Sequence, residues 1–348
     1  MPPSTTLPHG GDLASAARQF AIPEDQWLDL STGISPFPYP ISDLTPEFFC
    51  KLPGHTEETT LLAAACAAYG VADTCHAIAA PGTQLLIQQL PRLLPRARVT
   101  VRTPTYGEHA HCWHLAGHTI TEQDFAELPE SADVVIIVNP NNPDGRIFSP
   151  DILLTWADDM SRRGGLLIVD EAFADVTPDI SVANQVGHPG LIVLRSFGKF
   201  FGLAGLRLGF VLADTPIVDR LHRALGPWAV SGPALEIGAR ALGDIRWQQQ
   251  TRHKLAASAN RLDCLLQDHG LTVIGGTDLF RLVDSEQASA LSDNLARQAI
   301  LTRTFRSNPH WMRLGLPATE VHWQRLEAGL GRGSTRTTVR RSRNTVRE

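Results

Sequence analysis

An amine that attacks a carbonyl must be a lysine kept partly unprotonated, and this 348-residue chain has three candidates: Lys51, Lys199 and Lys254. The other 28 of its 31 strong cations are arginine. Lys199 lies in Ser196-Phe-Gly-Lys199-Phe-Phe-Gly-Leu-Ala-Gly-Leu-Arg207-Leu-Gly-Phe, an apolar stretch directly after a strand-like run. Burial there disfavours the ammonium and lowers its pKa, which suits nucleophilic work. Gly198, Gly202, Gly205 and Gly209 let the backbone approach a bound group closely. Taken alone, Lys199 also reads as a snorkelling side chain beside a glycine-rich turn. Lys51 adjoins a Leu-Pro-Gly turn and Lys254 a polar helix, neither with binding residues around it.

Three other segments bear polar groups where strands end. Ala80-Pro-Gly82-Thr83-Gln84 stands between a strand and a helix, where free amides and a hydroxyl make a phosphate cradle. It lacks a P-loop lysine, which argues against a nucleoside triphosphate, and Gly-Thr before a helix is also an ordinary cap. Asn139-Pro-Asn-Asn142-Pro-Asp-Gly145 and Asp170-Glu-Ala-Phe173 each follow a buried-type strand. The first also has the composition of a plain turn. A carboxylate in Asp170's place needs a partner, and a pyridinium nitrogen would serve. Glu108, His109, His111, Cys112, His114 and His118 crowd one helix, but they split between faces and no distant motif completes a metal site. No metal is expected.

The elements that must position these groups alternate. Strands are expected over 76–80, 98–103, 133–139, 166–170, 191–196 and 207–212, mostly continuous apolar runs covered on both faces. Helices are expected over 57–69, 83–94, 106–116 and 150–163. The pattern is α/β with a mostly parallel sheet, and such sheets bind ligands at the carboxyl ends of their strands. After Pro233 the rhythm changes to a long helix over 234–269 with a break near Gly243 and Asp244. Strands over 279–283, 301–305 and 311–314 then flank a helix over 288–298. The expected division is an irregular Pro- and Gly-rich arm over 1–40, a large α/β domain over 41–233, a small α+β domain over 234–330 and a tail over 331–348.

Composition limits the partners. With 43% hydrophobic and 19% charged residues, the chain is globular. The last 18 residues carry six arginines and one glutamate, which leaves 25 basic and 35 acidic groups in the body. Neither nucleic acid nor a membrane is expected as a partner: the body is acidic, and Lys199 and Arg207 interrupt the longest apolar run. The tail reads as solvated. The N-terminus lacks a signal-peptide pattern, and five cysteines without a CxxC pair read as reduced thiols, so a cytoplasmic protein is expected.

Together these residues resemble the fold-type I pyridoxal-phosphate enzymes, the aspartate-aminotransferase superfamily, from about residue 9 to 330. That resemblance implies a large domain with a mostly parallel, seven-stranded sheet, a smaller α+β domain, pyridoxal 5'-phosphate as cofactor and a homodimer. It implies that Lys199 holds the cofactor, that Asp170 pairs with the ring nitrogen and Asn142 with the ring hydroxyl, and that Tyr106 stacks on the ring. Gly82, Thr83, Gln84, Ser196 and Arg207 would surround the phosphate, and Arg313 would grip the substrate carboxylate. His9-Gly10-Gly11-Asp12, Leu28-Asp-Leu-Ser31, Asp170-Glu-Ala-Phe173, Leu194-Arg-Ser-Phe-Gly-Lys199 and Gly226-Pro-Trp228 look like the threonine-phosphate decarboxylases in particular. These make aminopropanol phosphate for cobalamin. The substrate is then a phosphorylated amino acid met by His9, Gly10, Gly33, Asn142, Arg303 and Arg313. The nearest alternative is a histidinol-phosphate-type aminotransferase. Three positions depart from the wider pattern: Phe173 replaces a tyrosine, Gly33 an asparagine, and Leu52 the tyrosine that reaches a partner's cofactor.

Overall fold

The computed structural model describes residues 9–42 and 44–331. The basic tail expected over 331–348 therefore lies, apart from Gly331, outside the described residues. The chain opens with α1 (Leu13–Phe20), β1 (Leu28–Asp29), α2 (Glu47–Cys50) and α3 (His55–Tyr69). There follow β2 (Ala77–Ala80), α4 (Thr83–Gln89), β3 (Arg98–Arg102), α5 (Glu108–Leu115), β4 (Thr119–Gln123), β5 (Val134–Val138) and α6 (Pro150–Arg162). Next come β6 (Leu166–Asp170), β7 (Leu191–Ser196), α7 (Phe197–Phe200), β8 (Gly209–Leu212) and α8 (Thr215–Leu225).

These strands form one sheet in the order β2-β8-β7-β6-β5-β3-β4. Only β8 runs antiparallel to its neighbours. The six others therefore point their carboxyl ends to one edge. The apolar runs are continuous because both faces are covered. Val135, Ile137, Leu167 and Val169 enter one core, while Val134, Ile136, Ile168 and Ile192 enter another across the sheet. The period of two along a strand then puts Asp170 on the face of Ile168, and Ser196 on the face of Ile192 and Leu194.

The rest comprises α9 (Gly232–Gly243), α10 (Ile245–Asp268), β9 (Thr272–Thr277), β10 (Phe280–Asp284), α11 (Ala288–Arg297), β11 (Ile300–Leu301), β12 (Arg303–Phe305), β13 (Asn308–Gly315) and α12 (Glu320–Leu330). A four-stranded antiparallel sheet, β12-β13-β10-β9, forms here. The break expected near Gly243 and Asp244 divides the long helix over 234–269 into two. Asp244 separates them and accepts the amide of Trp247 as the cap of α10. The N-terminal arm, expected to be irregular, contains α1, capped where Asp12 accepts the amide of Ser15. Its β1 pairs in parallel with β11 as a separate two-stranded sheet, which ties the arm to the C-terminal part of the chain. Strand β4 escaped the sequence reading because Thr-Ile-Thr-Glu-Gln is an exposed edge with no apolar run. Among the described residues, no helix is long and apolar enough to cross a membrane.

Candidate active site

At the carboxyl edge of the sheet lies a cavity of about 170 Å³, lined by Gly82, Tyr106, Asn142, Asp170, Lys199 and Arg207 among others. One turn of α7 after β7 delivers Lys199 into it. That turn is tight: a Cβ on Gly198 would sit 2.8 Å from the Cα of Ala204. Burial pulls the Lys199 ammonium down to about 8, helped by Arg313 and Arg207 and opposed by Asp170. The amine also faces an aromatic wall, 5.7 Å from the centre of the Phe173 ring.

An oxyanion cradle adjoins it. Gly82 takes a positive φ of 83°, and a Cβ there would lie 2.5 Å from Nη2 of Arg207. A Cβ on Gly209 would lie 2.5 Å from the amide nitrogen of Thr83. Arg207 itself is a non-glycine residue at φ 56°, a conformation that persists only where its surroundings enforce it. Its Nη1 donates to the carbonyl of Ala204 at 3.1 Å. The hydroxyl of Ser196, at the end of β7, lines the same cavity.

The opposite end holds a carboxylate. Asp170 is buried, its Oδ2 is 2.8 Å from Nε2 of His109, and its Oδ1 accepts the amide of Ala172 at 3.0 Å. His109 is 1% exposed. Sequence reasoning weighed it as a metal ligand, set that aside for an ordinary helix residue, and so missed its role; its position one turn after Tyr106 was the available signal. The Tyr106 hydroxyl donates to Oε1 of Gln84 at 3.1 Å, and burial pushes the phenol up.

Asn142 is oriented from behind. Nη1 of Arg313 donates to its Oδ1, while Nη2 donates to the carbonyl of Ser31 at 2.8 Å. The amide NH₂ of Asn142 is thus left for the cavity side. Arg313 is buried against Phe280, and its Nε has no hydrogen-bond partner among the described residues. Burial and neighbouring Arg303 draw its guanidinium down to about 10, against Asp29. Arg303 and Arg313 are register partners on β12 and β13, so the two cations share one face.

The structure also places the remaining candidates. His9 bonds Glu108 at 2.8 Å. Gly10 packs on β1's extension, where a Cβ would meet the Ser31 carbonyl oxygen at 2.4 Å. Gly33 threads between two aromatics: a Cβ would be 2.9 Å from both Phe173 and Phe280. No side chain fits between them without movement, which gives a physical reason for the asparagine's replacement. Leu52 is 71% exposed. The histidine-rich helix disperses its groups. Glu108 and His109 turn toward the site, while Nε2 of His118 bonds the carbonyl of Pro91. Among the described residues, no three His, Cys, Asp or Glu side chains could hold a metal ion.

Comparison with known proteins agrees with this fold. The family model of aminotransferase class I and II matches residues 53–322. The chain is 48% identical over 327 residues to a threonine-phosphate decarboxylase of Pseudomonas aeruginosa, covering 93% of this chain and 97% of that one. It is 42% identical to a threonine-phosphate decarboxylase of a Sinorhizobium species, covering 94% and 99%. Among solved structures, it resembles histidinol-phosphate aminotransferase of Sinorhizobium meliloti in complex with pyridoxal-5'-phosphate, at a TM-score of 0.78, 20% identity and coverage of 93% and 94%. It also resembles L-threonine-O-3-phosphate decarboxylase of Porphyromonas gingivalis, at a TM-score of 0.73, 19% identity and coverage of 86% and 97%. Fold, cavity and sequence thus converge: the chain belongs to the aminotransferase class I and II family, the fold-type I pyridoxal-phosphate enzymes.

Proposed function

We propose that this enzyme decarboxylates L-threonine O-3-phosphate to (R)-1-amino-2-propanol O-2-phosphate, a step toward cobalamin, in the cytoplasm. One observation carries the substrate class. Arg303 and Arg313 are register partners across β12 and β13, which places two guanidinium-bearing residues on one face. Two cations so placed suit a molecule with both a carboxylate and a phosphoryl group. The names of the relatives at 48% and 42% identity give the same substrate and reaction.

The cavity residues fit pyridoxal phosphate. Gly82, Thr83, Ser196 and Arg207 form a cradle that any Cβ on Gly82 would fill, and would hold the phosphate. Asp170 would meet the ring nitrogen, Asn142 the ring hydroxyl, and Tyr106 one face of the ring. When bound, the cofactor supplies an electron sink for the pair left on Cα as carbon dioxide departs.

The chain's own groups do the rest. Lys199, drawn down to about 8, presents a usable fraction of neutral amine for covalent attachment. Freed again, it would return a proton to Cα. Asp170, aimed by His109 and the Ala172 amide, would hold the proton on the ring nitrogen. Arg313 and Arg303 would fix the carboxylate and the phosphoryl group, and so decide which bond to Cα is broken. Rotation about the bond between Cα and the amino nitrogen would instead favour proton loss and transamination.

A homodimer is part of the proposal. Ile41, Phe49, Leu52 and Trp228 are all large apolar side chains left more than half exposed. The test of the reaction is carbon dioxide release from L-threonine O-3-phosphate with no oxo acid added. Stoichiometric consumption of 2-oxoglutarate would show an aminotransferase instead.

A further inference from the structure

Glu108 opens α5 and is largely buried, yet none of the chemistry above uses it. Both its oxygens are engaged. Oε1 takes Nε2 of His9 at 2.8 Å, and Oε2 accepts from Nε2 of Gln84 at 2.8 Å. Gln84 passes the connection on, since its Oε1 accepts the Tyr106 hydroxyl at 3.1 Å. His9 comes from the N-terminal arm, 99 residues away in sequence, and its side chain is 43% exposed. Its ring lies 5.9 Å from that of Tyr106, tilted by 49°. These residues border a second cavity that shares Gln84, Tyr106 and Arg207 with the first.

A carboxylate in this place has the wrong sign to touch a phosphorylated substrate. Its oxygens face a histidine, an amide and the thiol of Cys112 at 3.7 Å, and of these the histidine and the amide carry its effect toward the substrate and the cofactor. With Nε2 committed to Glu108, His9 is left with Nδ1 for a ligand. With Nε2 committed to the same carboxylate, the Gln84 amide cannot flip, and its oxygen must face Tyr106.

We propose that Glu108 is a positioning residue that ties the N-terminal arm to the stacking tyrosine, holding His9 for the substrate phosphoryl group and Tyr106 for the cofactor ring at once. The substrate half of this rests on the decarboxylase reading above. The cofactor half does not.

The experiment is a double-mutant cycle on the cofactor-loaded enzyme: wild type, His9→Ala, Glu108→Gln and the double variant. KM and kcat for L-threonine O-3-phosphate are measured along with the visible absorption of the bound cofactor. Glu108→Gln should raise KM roughly ten-fold, the scale of one lost charge-assisted contact, and His9→Ala should do about the same. The double variant should be no worse in KM than His9→Ala, because one residue acts through the other. Glu108→Gln should also shift the cofactor absorption, whereas His9→Ala should not. Glu108→Asp, which keeps the charge but is too short to span both partners, should lie between wild type and Glu108→Gln. Wild-type KM and absorption in Glu108→Gln would overturn the proposal, as would KM effects that multiply in the double variant. Failure of the decarboxylase reading would look different: a wild-type enzyme inert toward this substrate, with the absorption comparison still deciding the cofactor half.

Discussion

Lys199 is the group whose ionisation bears most directly on the proposed chemistry. With its pKa at about 8 instead of the ordinary 10.5, roughly one tenth of the amine is neutral at pH 7, against about three parts in ten thousand for an unperturbed lysine. Covalent capture of pyridoxal phosphate by cofactor-stripped enzyme should therefore run about 300-fold faster at pH 7 than with an ordinary amine. Mixing stripped enzyme with the cofactor from pH 6 to 10, and following visible absorption, reads this directly. The rate should climb about ten-fold per pH unit to about pH 8 and then level off. Arg313→Gln removes a cation that holds the amine down, so its plateau should begin at higher pH. Stability carries the same signature. The folded pKa is lowered, so the fold binds fewer protons than the unfolded chain between about 8 and 10.5, and the stripped protein should gain stability as pH rises through that window. The gain is on the order of 3 kcal/mol, and Lys199→Met should remove it. A wild-type capture rate still rising ten-fold per unit at pH 10 would refute the argument.

Other expectations follow from single contacts. Arg303→Leu should raise KM for threonine phosphate by roughly 10- to 100-fold in steady-state kinetics. His109→Leu leaves the buried Oδ2 of Asp170 without its partner, and should cost about 1–3 kcal/mol in chemical unfolding while lowering kcat. Gly33→Asn drives a side chain into Phe173 and Phe280, so calorimetry should show a loss of about 1–3 kcal/mol with no gain in substrate affinity. Asp170→Asn should retain the fold and the bound cofactor but depress kcat far more than KM.

What the sequence made legible was the part written in runs and strand ends. Residues 134–138 and 191–194 are apolar on both faces, and polar residues at or just beyond the ends of such runs have few places to go but the sheet edge. Lys199, Asp170 and the Gly82 turn were found that way. Partnerships were harder, because they depend on which face of a helix meets which strand. His109 and Glu108 are adjacent in sequence and serve different partners, Asp170 and His9, a division that composition cannot express. The meaning of Gly33 was also hidden. Its lack of a side chain reads as a missing substrate contact until Phe173 and Phe280 are seen on either side of it. Arm helix α1 was obscured by the prolines and glycines around it, and β4 by its exposed, polar edge.

The central claim is that this cavity removes a carboxylate and puts a proton in its place. Threonine phosphate labelled in its carboxyl carbon, turned over in deuterium oxide without any oxo acid, tests it most directly. All of the label should leave as carbon dioxide, one deuteron should appear on the carbon that bore it, and Lys199→Ala should yield neither. Label retained in a keto product, formed only when 2-oxoglutarate is supplied, would contradict it.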